Sequence, residues 1–140
     1  MLQEEGLPQV FARHTRLAEA TRAAVRGWGL ELVPVDPAEA SDSLTAVLMP
    51  PGHDADAFRK ITLERWDMSL GAGLGKLQGR IFRIGHLGDF NDLMLMGTLA
   101  GVELGLRAAG VPHQTGGLAA AMEVLSRAPA EVRAARAAHG

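Results

Sequence analysis

A single arginine stands inside an apolar run at Ile81-Phe-Arg-Ile-Gly85. Strand interiors favour apolar residues and burying an unpaired guanidinium is costly, so Arg83 needs a reason to be there. Alternation predicts Ile81, Arg83 and Gly85 on one face, with Phe82 and Ile84 on the other. The apolar pair suits a helix-covered face. Arg83 then projects outward, beside a glycine that lets a ligand approach. An outward strand arginine is ordinarily just solvated. The functional alternative is carboxylate recognition, because a planar guanidinium can grip a carboxylate with two parallel hydrogen bonds that lysine cannot copy.

Other residues with chemical potential are easier to set aside. Gly71-Ala-Gly-Leu-Gly-Lys76 invites a phosphate-loop reading, but Leu77 follows the lysine where Ser or Thr is needed. No glycine stands five residues before Gly75, and the dinucleotide fingerprint fails on spacing as well. These glycines read as a turn-forming connection between strands. The histidines at 14, 53, 86, 113 and 139 have no metal-ligand spacing, so no metal is expected. Ser41, Ser43, Ser69 and Ser126 lie outside any nucleophile elbow. There is no cysteine and no tyrosine, which removes disulfides, thiol chemistry and phenolic acid–base chemistry.

Composition bounds the rest. The chain has 140 residues, 47% of them apolar and 21% charged, as a single soluble domain with a real core would have. A net charge of −2, with both signs mixed along the chain, leaves no electrostatic footprint for nucleic acid or an anionic membrane. The longest nearly apolar run, Leu93 to Val102, is too short to span a bilayer, and the acidic start resembles no targeting peptide. A cytoplasmic protein is expected.

The elements that must position Arg83 follow from periodicity. Leu7, Val10, Phe11, His14, Leu17, Ala18, Thr21, Ala24, Val25 and Trp28 form one face of a long helix. Arg13, Arg16, Glu19, Arg22 and Arg26 take its wet side. Leu30–Val35 and Leu44–Leu48 read as strands. A helix capped by Asp54 carries Ala57, Phe58 and Ile61 inward and ends near Trp66. Met68–Gly75 is a short extended piece, and Arg80–Ile84 is the last strand. Phe90–Ala109 is a helix, with Asp89 or Asn91 as cap and Leu95, Leu99, Val102 and Leu106 as its buried stripe. Gly97, Gly101 and Gly105 form a second stripe that is unfavourable unless something packs closely on it. Glu103 and Arg107 mark its exposed face. A short helix with Leu118, Met122 and Leu125 follows Gly116-Gly117. The expected fold is α+β, a small, mostly antiparallel sheet covered on one face by helices. Residues 1–126 form the domain, and 127–140 an Ala/Arg-rich tail that frays.

Several segments together carry a resemblance. Phe11-Ala-Arg-His14, Thr45-Ala-Val-Leu-Met-Pro50, Gly52-His-Asp-Ala55, Ser69 to Gly79 and Phe82 to Gly105 resemble class V pyridoxal-phosphate aminotransferases of the serine–glyoxylate (alanine–glyoxylate) type. The likeness runs from about Glu4 to Ala121 and concerns only the C-terminal small domain of these fold-type I enzymes. It implies that Arg83, in Arg83-Ile-Gly-His-Leu-Gly88, holds the substrate α-carboxylate. It implies transamination for a complete enzyme, with an amino group moving from serine or alanine to glyoxylate through pyridoxal phosphate. Trp66 stands where relatives commonly have another aromatic.

The family's Schiff-base lysine and cofactor contacts belong to a large N-terminal domain that these residues do not match. Lys60 and Lys76 lie in nothing like the lysine motif. The chain is therefore expected to be a fragment, a truncated gene product or half of a split enzyme, inactive and free of cofactor alone. It should associate, with a second copy or with the missing large domain, through the apolar face of Leu7–Trp28 or the glycine stripe. The alternative is a non-catalytic interaction module that has kept the small-domain fold.

Overall fold

A computed structural model describes residues 7–33, 44–73, 75–85 and 91–127, with side chains from 15 in the first stretch and from 45 in the second. Helix α1 spans Leu7–Gly27 and is followed by β1, Glu31–Leu32, and β2, Leu44–Leu48. Helix α2, Ala55–Trp66, leads to β3, Gly71–Ala72, a 3-10 turn at Gly75–Leu77, and β4, Ile81–Gly85. Helices α3, Asp92–Ala108, and α4, Gly117–Leu125, complete the described part. The four strands form one antiparallel sheet in the order β1-β2-β4-β3. The strand carrying Arg83 is thus an inner one, hydrogen-bonded on both edges.

One face of this sheet supplies the core. Val47, Phe82 and Ile84 point into a cluster with Leu17, Ala24 and Val25 of α1, Phe58 of α2, Leu95, Leu99, Val102 and Leu106 of α3, and Ala121 of α4. The rings of Phe58 and Phe82 lie 4.7 Å apart at a tilted angle, a favourable aromatic contact that seats α2 on β4. Asp54 caps α2, its carboxylate accepting from the Asp56 amide at 2.9 Å, and Asp67 ends the helix in the left-handed region at φ 54°. Asn91, one of the two expected caps, begins α3 by accepting from the Met94 amide at 2.9 Å. The other, Asp89, lies outside the described residues.

The α1 stripe is observed from Leu17 on: Leu17, Ala18, Thr21, Ala24, Val25 and Trp28 are all fully buried. They are buried within this domain, so this part of α1 is not the exposed docking face expected of it. The glycine stripe divides. A methyl group built on Gly105 falls against Thr62 and Phe58, and one on Gly101 against Met68, whereas Gly97 faces open space. Packing of α2 on α3 accounts for Gly105, and the segment that follows α2 accounts for Gly101. What stays exposed on α3 is Leu93, Met94 and Leu104.

Several expected faces are corrected. Arg16 is not on a wet side: its guanidinium spans from α1 to Asp92 at the start of α3, at 2.8 and 2.9 Å, and also donates to the Leu125 carbonyl ending α4. Glu103 is mostly covered and accepts from Trp28 Nε1 at 2.9 Å, so it does not mark an exposed face. On α2, Ala55, Phe58 and Thr62 are buried while Ala57 is exposed. On α4, Gly117, Ala121 and Val124 are buried and Met122 is 57% exposed. Ile81 shares the face of Arg83 yet is buried, because the segment at Gly73 and Leu77 folds over it. Short apolar runs on small helices leave the face uncertain by about one residue, and long polar side chains bridge between elements in ways periodicity does not report.

Candidate active-site arginine on the open sheet face

The register places Arg83 opposite Ala46 of β2 and Gly71 of β3. Both neighbours are small, so the arginine stands between two low positions on the sheet face that carries no helix. It is half-buried. Among the described residues no hydrogen bond or ion pair holds its guanidinium, in contrast to Arg16, Arg22, Arg59 and Arg107, which all have carboxylate partners. Such a cation, its stem against the sheet and its head unpaired, suits an exogenous carboxylate.

Its surroundings are fixed from α2. Arg59 Nε donates to the Leu70 carbonyl at 2.8 Å, and the Met68 amide donates to the Thr62 carbonyl at 3.1 Å. These bonds hold the lead-in to β3, so that Gly71 meets Arg83 in register. Sequence reasoning treated Gly71 only as a turn glycine. The signal that it does more lies in the pairing register, which is a tertiary fact. The segment after β4, including His86 and the rest of the Arg-Ile-Gly-His-Leu-Gly pattern, lies outside the described residues.

The two lysines do not fit pyridoxal phosphate. An imine-forming lysine needs an enclosed position with donors for the phosphate nearby. Lys60 is 73% exposed on α2, with Nζ 4.0 Å from Glu64, and Lys76 is exposed on the 3-10 turn. Among the described residues no three His, Asp or Glu side chains group as metal ligands. His113 is engaged with the Val111 carbonyl at 2.8 Å. No described helix is long and apolar enough to cross a membrane.

No family model matches the chain. Individual proteins do. It is 48% identical over 120 residues to an L-aspartate–glyoxylate aminotransferase of Paracoccus denitrificans, covering 85% of this chain and 30% of that protein. It is 46% identical over 129 residues to a serine–glyoxylate aminotransferase of Methylorubrum extorquens, covering 91% of this chain and 32% of the relative. Among solved structures, ureidoglycine–glyoxylate aminotransferase from Bacillus subtilis superposes with a TM-score of 0.83 at 29% identity, over 90% of this chain and 33% of that one. The chain thus spans about 30% of the length of the curated relatives it matches. With the antiparallel sheet, its helical layer and the position of Arg83 in place, the chain belongs to the class V pyridoxal-phosphate aminotransferases and corresponds to their C-terminal domain.

Proposed function

We propose that these residues form the carboxylate-binding domain of a transaminase that moves an amino group from serine or alanine to glyoxylate. The observation that carries this reading is Arg83, a guanidinium with no partner among the described residues, between two small residues on the open face of the sheet. Amino donor and 2-oxo acid share one group, a carboxylate beside the reacting carbon. Two parallel hydrogen bonds from Arg83 hold that group and so fix the orientation of the carbon relative to the rest of the enzyme. Pyridoxal phosphate, when bound to the complete enzyme, supplies the electron sink. This stretch supplies orientation, and by itself it neither binds that cofactor nor turns over. Its partner is the remainder of the enzyme, carried on the same polypeptide or on a separate one.

The test joins this chain to the first two-thirds of the Methylorubrum relative and compares it with the Arg83→Lys variant. Loss of bidentate geometry removes roughly 1.5–3 kcal/mol, which lowers kcat/KM for serine about tenfold to a hundredfold. Absorbance of the bound cofactor stays the same. Unchanged kinetics refute the role of Arg83. A borohydride-trapped imine at Lys60 or Lys76, with turnover by the 140-residue chain alone, refutes the dependence on a partner.

A further inference from the structure

We infer that Gly71 is a positioning residue for the Arg83 side chain, and that the absence of a side chain there is required for carboxylate recognition. The inference rests on the reading of Arg83 above. A glycine inside a strand weakens it and needs an account. Backbone conformation gives none, because Gly71 is not among the glycines with positive φ, and alanine could adopt its dihedral angles. The account is steric and specific. A Cβ built on Gly71 lies 3.0 Å from Arg83 Cβ, 3.5 Å from Cδ and 3.6 Å from Cγ, and these are its three nearest atoms. The space a side chain would occupy is where the arginine stem lies.

Neither partner can retreat freely. Arg83 Cβ is fixed to an inner strand bonded on both edges, and the approach to Gly71 is tied to α2 through Arg59 and the Leu70 carbonyl at 2.8 Å. A methyl group at Gly71 therefore tilts the stem toward Ala46. A few tenths of an ångström at Cβ grows along the stem to about 1 Å at the guanidinium, and misplacement of that size is costly for an oriented substrate. Gly71 touches no substrate itself.

The experiment compares Gly71→Ala with Gly97→Ala, a matched change at a position facing open space. In the 140-residue chain, the Arg83 Nε–Hε resonance and the contacts between the Arg83 stem and residue 71 are read by NMR. Gly71→Ala shifts both while the remaining amide spectrum stays dispersed, and Gly97→Ala leaves both in place. In the joined enzyme, Gly71→Ala raises KM for serine about tenfold, with a smaller change in kcat. Placed on Arg83→Lys, it adds little, since it acts through the guanidinium. An unmoved Arg83 resonance, an unchanged KM, or full additivity with Arg83→Lys overturns the inference. If Arg83→Lys itself has no effect, the carboxylate reading falls. If Arg83→Lys is impaired and Gly71→Ala is normal, only the role of Gly71 falls. Should Gly71→Ala not fold, Arg59→Ala loosens β3 without adding a side chain at 71, and the Arg83 resonance then stays in place or the steric inference fails.

Discussion

Three glycines on α3 at four-residue spacing meet three different environments, and alanine at each should give three different stabilities. Replacing glycine with alanine inside a helix is worth about 1 kcal/mol when nothing opposes it. Gly97 faces open space, so Gly97→Ala stabilises by that amount. At Gly101 the new methyl meets Met68 Sδ at 2.7 Å and Cε at 3.1 Å, the far end of a flexible side chain that can turn aside. Propensity and repacking then nearly cancel. At Gly105 it meets Thr62 Cγ2 at 2.5 Å and Phe58 Cε1 at 2.8 Å, and both residues are fully buried. Overpacking of this kind costs up to about 3 kcal/mol, leaving a net loss near 2 kcal/mol after the helical gain. Urea unfolding of the 140-residue chain, followed by far-UV circular dichroism, measures the series. The spread between Gly97→Ala and Gly105→Ala is about 3 kcal/mol, or roughly 10 °C in Tm for a chain of this size. Equal stabilisation at Gly97 and Gly105 would refute the close packing of α2 on α3.

Arg16→Ala removes a part-buried cation that joins three helices, and lowers stability by about 2 kcal/mol, less than a fully buried pair because Asp92 is 41% exposed. A cycle with Asp92→Ala, read by the same unfolding assay, gives a coupling of about 1 kcal/mol. Trp28→Phe deletes the indole donor to Glu103, leaves a mostly covered carboxylate with Arg107 at 3.5 Å as its remaining partner among the described residues, and costs about 2 kcal/mol. Glu103→Gln retains an acceptor for the indole and costs less than half as much; equal losses would count against the hydrogen bond.

The parts of this fold that depend on local rules were legible in the sequence. Asp54 as a cap, the break at Gly110, the strand Leu44–Leu48 and the stripe Leu95, Leu99, Val102 and Leu106 each follow from a few neighbouring residues. What could not be read was pairing between distant segments. Arg16 and Glu103 looked like solvent-facing charges because their partners, Asp92 and Trp28, lie more than seventy residues away. Arg83 itself was visible as an anomaly in an apolar strand, and alternation gave its face. Its lack of a carboxylate partner among the described residues and its seat between Ala46 and Gly71 depend on strand order, which no period in the sequence encodes. The burial of Ile81 was illegible for a related reason, since a segment returning over one end of a sheet face is invisible to strand alternation.

The junction between α1 and α4 has a meaning in time as well as in space. Gly27 lies so close to the backbone of Gly116 and Gly117 that no side chain fits between them, and the Gln114 amide donates to the Trp28 carbonyl at 2.8 Å. The first described helix therefore finds its closest partner only in the last described one. Before α4 has emerged, Leu17, Ala24 and Val25 can already pack on β2 and α3, but the end of α1 at Gly27 and Trp28 still lacks its cover. Domain completion then comes late and all at once, as α4 emerges. Stalled nascent chains ending before Gly116 should be cut within α1 by added protease, and chains that have released Leu125 should resist it.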